Sequence, residues 1–325
     1  MNAGQWLPAM GAKLRAAFVL AIGIGASLIA WAADAPVRAV NVAPDVWFVQ
    51  GQAEMGSAAN RNFISNAAFV VTDDGVVVID SLGSPALAEE MIQEVRRVTT
   101  QPIRFVIVTH YHADHIYGLQ AFKAAGATIV AHPSGRDYLN SDTARLRLQA
   151  SRQELFPWID ESTQVLPADR WLEQEDTLLR VGTFDFRIRH VGPAHTAEDL
   201  VVYLPRRQVL FSGDVVLRGR IPFVGQADSR QWIASLTQLI DFKPRLLVPG
   251  HGEVSTDPTA DMTLTRDYLQ HLRKTMAEAA DKLEPFDAAY EKANWTRFEK
   301  MPLFRAVNRM NAYNTFLLME QQVPR

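Results

Sequence analysis

The chain has 325 residues, of which 48% are hydrophobic and 21% charged. This is ordinary globular composition, enough for one large domain or two smaller ones. Lys and Arg number 33 against 36 Asp and Glu, and there is no cysteine. The acidic balance argues against a nucleic-acid partner, and the lack of thiols excludes every thiolate metal site and cysteine nucleophile.

In chain order, Lys13 and Arg15 precede an apolar run over residues 16–32, and Ala30-Trp31-Ala32 offers a small-residue cleavage site. No acidic residue stands before Asp34. Residues 1–32 therefore read as a secretory signal peptide. The competing reading is a retained membrane anchor, which Gly23, Gly25, Ser27 and the short length of the run disfavour. Cleavage leaves 31 Lys and Arg against 36 Asp and Glu, a formal charge of −5. The expectation is a periplasmic or secreted protein with no stable membrane insertion after cleavage. At this size a core suffices without disulfides.

Residues 46–52 read as a strand and 51–62 as a small, polar, flexible loop. Residues 67–71 and 76–80 read as strands joined by Asp73-Asp74-Gly75, a hairpin turn signal. Residues 85–98 have helical periodicity, 105–108 a buried-strand pattern, and a helix begins at 116–125. Residues 127–131 form another short strand, and 133–155 one helix with Pro133 near its first turn. A strand over 184–190 follows. Residues 199–204 and 209–211 make a second hairpin, 229–240 a helix capped by Asp228 or Ser229, and 246–248 a strand. The order hairpin, helix, strand, ligand thus occurs twice, which implies two similar α/β halves with the ligands gathered at strand ends along their seam. From Pro258 onward the pattern is helical, with 264–282 and 304–321 read as packing or subunit-contact helices.

The chemistry concentrates in His110-Tyr111-His112-Ala113-Asp114-His115, which follows the strand at 105–108. Three imidazoles and a carboxylate on one strand-to-helix loop suit a borderline divalent ion such as zinc. In extended backbone, positions 110 and 112 project to the same side and can share one ion, leaving Asp114 and His115 for a second. Three later residues also sit at strand ends: His195 in Pro193-Ala194-His195-Thr196, Asp214 in Ser212-Gly213-Asp214, and His251 in Pro249-Gly250-His251-Gly252. His190 competes with His195 but falls within a predicted strand. His132 reads as structural and His271 as solvent-facing. Asp80 closes the first hairpin as Asp214 closes the second. It is read equally well as a carboxylate orienting a ligand histidine or as a buried turn former. There is no G-x-S-x-G elbow and no phosphate-binding glycine loop with its lysine.

The motifs H-x-H-x-D-H, A-H-T, S-G-D and P-G-H-G, in that order, resemble those of the metallo-β-lactamase superfamily over residues 45–255. The resemblance implies a four-layer αβ/βα sandwich with additional C-terminal helices. It divides the chain into a metallo-β-lactamase-like domain at 40–257 and a helical extension at 258–325. It implies two Zn²⁺, with iron or manganese as alternatives. His110, His112 and His195 would hold the first ion and Asp114, His115 and His251 the second, with Asp214 bridging. Ala194 replaces the usual glycine before the third-motif histidine. The ligand set is similar to that of glyoxalase II enzymes and, more loosely, of quinoprotein relay system or SoxH-type metallohydrolases. The reaction expected is hydrolysis of an ester, thioester or lactone-like carbonyl in a small-molecule substrate by metal-bound hydroxide, with Asp114 and Asp214 as catalytic carboxylates. The alternatives are β-lactam hydrolysis, sulfur oxidation at a single iron, and metal binding without catalysis. The substrate loops are expected at 51–62 and 215–226, where Arg218 or Arg220 could pair with a substrate carboxylate.

Overall fold

The computed structural model describes residues 36–225 and 227–322, so the expected signal peptide lies outside the described residues. Twelve strands among the described residues form two sheets. The first sheet holds seven strands in sequence order: β1 (Ala39–Ala43), β2 (Val46–Val49), β3 (Ala67–Thr72), β4 (Gly75–Ile79), β5 (Ile103–Ile107), β6 (Thr128–Ala131) and β7 (Arg170–Trp171). The second runs β12-β11-β10-β9-β8, from β8 (Asp176–Val181), β9 (Phe184–His190), β10 (Leu200–Leu204), β11 (Val209–Gly213) and β12 (Leu246–Pro249). The two-residue period of the strands sorts their side chains between two cores. On β2 to β4, Phe48, Val70 and Val77 face the second sheet and pack against Phe186, Val202 and Phe211. Their neighbours Val49, Phe69 and Val78 face outward onto helices α1 (Pro85–Val98) and α3 (Leu119–Ala124). The outer face of the second sheet packs against α6 (Ser229–Ile240), α7 (Pro258–Asp281) and α9 (Phe304–Gln322) through Val201, Leu210, Trp232, Leu269 and Val307. The layers are therefore helix, sheet, sheet, helix, the expected αβ/βα sandwich, with additional C-terminal helices.

The inferred repeat is present. Antiparallel β3–β4 leads through α1 to β5, which pairs parallel with β4. Antiparallel β10–β11 leads through α6 to β12, which pairs parallel with β11. Both crossover helices begin at side-chain caps: Ser84 accepts from Leu87 N in α1, and Asp228 accepts from Arg230 N and Gln231 N in α6.

Three expectations change. The helix read over 133–155 is two, α4 (Gly135–Leu139) and α5 (Asp142–Glu154). The break comes at Asn140-Ser141, because Ser141 is extended and caps the second helix by accepting from Ala144 N. The helix after the histidine run is also split, into α2 (Ala113–Ile116) and α3. At the junction a Cβ on Gly118 would fall 1.9 Å from Ser81 O. Strands β1, β7 and β8 and helix α8 (Phe286–Lys292) were not anticipated; the strands are edge or polar segments with weak alternation, and α8 is short.

Candidate metal centre

The ligand candidates converge because each ends a strand on the same edge of the sandwich. After β5 the chain bends at Thr109 and is extended at His112, which precedes α2. His110 and His112 fall in the same cluster, and α2 carries Asp114 and His115. His195 occupies the loop from β9 to β10, Asp214 directly follows β11, and His251 follows β12. Two clusters result: His110, His112, His195 and Asp214, and then Asp114, His115 and His251. In each, the ligand atoms lie within 4.8 Å of one another. Asp214 faces both. Its Oδ2 lies 3.5 Å from His195 Nε2 and 3.3 Å from His251 Nε2, and its Oδ1 lies 3.3 Å from His115 Nε2.

The donor set fits divalent cations. Five imidazoles and two carboxylates meet in a largely buried region, and His110 Nε2, His115 Nε2 and Asp214 Oδ1 are buried without a hydrogen-bond partner. Buried polar atoms are costly to leave unpaired, and lone pairs facing a shared centre are what a cation requires. His112 presents Nδ1, which lies 2.9 Å from His195 Nε2.

Three of the candidate ligand histidines, His110, His115 and His251, are aimed by partners behind them. Asp80 Oδ2 accepts from His115 Nδ1 at 2.9 Å and from Thr109 Oγ1 at 2.8 Å, while its Oδ1 accepts from Thr109 N at 2.8 Å. Thr109 Oγ1 lies 3.1 Å from His110 Nδ1, so one carboxylate orients His115 directly and His110 through a threonine. Of the two readings of Asp80, the orienting one is therefore the one the geometry supports. His251 Nδ1 donates to Ile64 O at 2.6 Å, which leaves its Nε2 lone pair facing Asp114 and Asp214. Asn66 ties down the His251 loop, with Nδ2 donating to Pro249 O at 2.9 Å and Gly252 O at 2.8 Å. A Cβ at Gly250 would sit 2.0 Å from Asp214 Oδ1, so glycine there permits the close approach of the two loops.

Thr109, Glu198 and Asp199 were missed by the sequence reading, although each neighbours a motif. Asp199 accepts from Thr196 N at 2.7 Å and Thr196 Oγ1 at 2.9 Å and so shapes the His195 loop. Glu198 accepts from Tyr111 N at 3.1 Å and binds the histidine run to β10. His190 and His132 stand apart from the centre and stack on each other, 3.5 Å between ring centroids. His271, expected to face solvent, packs against Trp295 and Phe298.

Electrostatics divides the cluster. Burial, with the neighbouring imidazoles, holds His110 well below its ordinary value and His195 at about 3. Burial also opposes charge on His115 and His251, but the adjacent carboxylates, Asp214 foremost, outweigh it and raise both. Asp214 is correspondingly held well below the usual carboxylate range: burial acts against this, and His251 and His115 prevail.

A cavity of about 540 Å³ opens on the cluster. His112, Asp114, His195, Asp214 and His251 form its floor, and Met55, Ile64, Tyr138, Leu155, Phe223 and Val307 give it apolar walls. Both expected loops contribute, through Met55, Gly56 and Asn62 and through Arg220 and Phe223. Arg218 does not. It turns away to Glu253 and Asp261, 3.2 Å from each, because those carboxylates satisfy it outside the cavity. Arg220 is 6% exposed, its Nε has no partner, and its Nη1 rests 3.0 Å from His251 Nδ1. Val307 also adds to the reading of the C-terminal helices as packing or subunit-contact helices, since α9 lines the cavity.

A family model described as the metallo-beta-lactamase superfamily matches residues 60–251. A type 2 metallo-beta-lactamase of Bacillus sp. (strain 170) is 30% identical over 206 residues, 62% of this chain and 72% of that protein. A linear primary-alkylsulfatase of Pseudomonas sp. (strain ATCC 19151) is 25% identical over 245 residues, 64% of this chain and 44% of that protein. Among solved structures, a metallo-beta-lactamase from Pontibacter korlensis aligns with a TM-score of 0.57 and 23% identity over 72% of this chain and 99% of its own. A stereoselective inverting sec-alkylsulfatase from Pseudomonas sp. aligns with a TM-score of 0.69 and 16% identity over 87% of this chain and 50% of its own. At these identities the structural matches speak to the fold.

Proposed function

From the premise that this chain belongs to the metallo-β-lactamase superfamily of metal-dependent hydrolases, we propose that it is an exported dinuclear zinc hydrolase of small molecules bearing an ester, thioester or lactone-like carbonyl. His110, His112 and His195 hold one ion, Asp114, His115 and His251 the other, and Asp214 both. The observation that carries this reading is the Asp214 carboxylate, whose oxygens lie within 3.5 Å of ligand nitrogens from both clusters. A mononuclear iron oxygenase has no use for the second cluster.

Such ions supply Lewis acidity and, at neutral pH, a hydroxide nucleophile. The rest falls to the chain's own residues. Asp114 is 3.2 Å from His251 Nε2 and opens on the cavity; it can orient the nucleophile or pass a proton to the leaving group. Asp80 and Thr109 hold the imidazoles in the tautomers that ligation needs. The apolar walls exclude water and hold an apolar substrate body.

Charge indicates the kind of substrate. Two dications outweigh the two ligand carboxylates even with a hydroxide present, and Arg220 adds a buried cation that forms no ion pair among the described residues. Such a site favours a substrate carrying an anionic group beside an apolar body. Hydrolysis of a sulfate ester is the second reading, favoured by the same cation beside apolar walls and by the likeness to alkylsulfatases. β-Lactams, which also carry a carboxylate, complete the screen.

Metal analysis of the purified protein, with carbonyl esters, thioesters, lactones, β-lactams and alkyl sulfates as substrates, tests the proposal. Two zinc ions per chain with hydrolysis of an anionic member is the expected result. One iron with oxygen consumption would overturn it. Export is tested by N-terminal sequencing of the cell-envelope form, expected to start near Ala33; a retained Met1 in membranes would mean an anchor.

A further inference from the structure

The segment 218–224 lies in no helix or strand, yet it delivers both Arg220 and Phe223 to the cavity. Its shape must therefore be set by bonds to other segments: Arg218 N donates to His251 O at 3.1 Å, and residues 221–224 are held from the C-terminal region. Ile221 N donates to Pro302 O at 3.0 Å. Asn311 of α9 grips the backbone on both sides of Phe223: its Oδ1 accepts from Val224 N at 3.0 Å and its Nδ2 donates to Pro222 O at 2.6 Å. The same Nδ2 donates to Tyr268 Oη of α7 at 2.9 Å, Tyr268 Oη donates to Asn308 Oδ1 at 2.8 Å, and Asn308 Nδ2 donates to Tyr290 Oη of α8 at 3.1 Å. Asn308 and Asn311 are fully buried and Tyr268 is nearly so.

A buried amide is costly unless fully bonded, and an apolar side chain would fill this helix interface at lower cost. The network is satisfied throughout, and one end of it is the substrate loop. One turn before Asn311 on the same face of α9 stands Val307, itself a wall of the cavity. The helices thus present one side chain to the cavity and fix the segment that presents two more.

We propose that Asn311 is a positioning residue for substrate selection: by clamping residues 222–224 it sets where Phe223 and Arg220 stand, so that α7, α8 and α9 determine which substrates the cavity accepts. This rests on the reading of the 540 Å³ cavity as the substrate site. It leaves the metal cluster untouched, because Asn311 bonds no ligand residue.

The test uses the full chain with Asn311→Leu, which keeps the branched shape and removes all three bonds, and Tyr268→Phe, which removes only the link from Asn311 to Asn308. Amide hydrogen exchange is read first. In Asn311→Leu the Val224 amide should exchange about tenfold faster, the loss expected for one net hydrogen bond. Ile221, bonded to Pro302, should change less, and β4, β5 and β11 should not change. Tyr268→Phe should show the same pattern more weakly. Zinc content should match the unsubstituted protein. With the substrate found by the screen, KM should rise several-fold with kcat within about twofold, and discrimination between long and short substrates should narrow. Uniformly faster exchange across the protein, or unchanged exchange at Val224, would overturn the clamp; so would locally faster exchange with unchanged KM and unchanged substrate preference. Should Asn311→Leu fail to fold, Tyr268→Phe decides by the same readings. Absence of turnover in every form, including the unsubstituted protein, would count against the hydrolase reading alone, while exchange at Val224 still decides the clamp.

Discussion

Asp80→Asn isolates one carboxylate's effect on the metal centre. Asp80 is buried, with φ at 61°, a left-handed conformation that asparagine tolerates better than most residues. The substitution therefore changes the chemistry with little backbone strain. The carboxylate accepts three hydrogen bonds, two at Oδ2 and one at Oδ1. An asparagine has one acceptor oxygen. If it faces His115 and Thr109 Oγ1, its NH₂ confronts the Thr109 amide; if it flips, the NH₂ confronts His115 Nδ1. Either way one buried donor is stranded, at a cost of about 1–3 kcal/mol. The tautomer of His115 is also no longer enforced, and loss of such an orienting partner typically weakens a metal site by about 10–100-fold. The assay is zinc competition against a chelator on metal-free protein, with a thermal melt of the same samples. The expected result is weaker binding at both ions, more so for the one held by His115, because His110 feels Asp80 only through Thr109. Zinc affinity and melting temperature both unchanged would refute the assignment of Asp80 as the orienting group.

Further substitutions separate the other roles. His251→Ala removes a ligand of the second cluster only, so dialysed protein should fall from about two ions per chain towards one; loss of both would contradict the division of ligands. Arg220→Met should raise KM for an anionic substrate by roughly 10–100-fold, the worth of a charge-assisted hydrogen bond, at unchanged metal content. Arg218→Met should leave kinetics unchanged, since Glu253 and Asp261 already hold that guanidinium; equal effects from the two would sink the assignment. His132 supplies a pH dependence. Burial and the stacked His190 lower its pKa to about 4, so between about pH 6.5 and pH 4 the unfolded chain binds the extra proton. Stability is therefore present above that window and lost as pH falls through it. Urea melts should show the protein losing more stability than a His132→Asn variant between pH 7 and pH 5; parallel losses would refute it.

Much of the centre was legible because its signals are local. Six residues hold four of the seven ligand candidates, and extended backbone followed by a helical turn is enough to sort them into two groups. The doubled order of hairpin, helix and strand, read from hydrophobic period and turn residues, was enough to put His195, Asp214 and His251 at strand ends on a common seam. What sequence spacing could not supply are relations between segments far apart in the chain that meet only after packing. Arg218 and Arg220 are indistinguishable as text. Which one faces the cavity depends on the position of Glu253 and Asp261 once α7 has docked. Asp80 is an aspartate after a strand until β4 and β5 pair in parallel and bring Thr109 and His115 against it. Asn311 carries no motif at all; its meaning comes from the backbone of Pro222 and Val224, nearly ninety residues earlier. The sequence by itself determined the candidate donor residues and two similar α/β halves, and its resemblance to the family implied the sandwich, because ligand chemistry, motifs and hydrophobic period are properties of neighbouring residues. Only the tertiary structure decided which side chains aim those donors and shape the cavity, because a buried polar group takes its partners from whatever the fold packs against it.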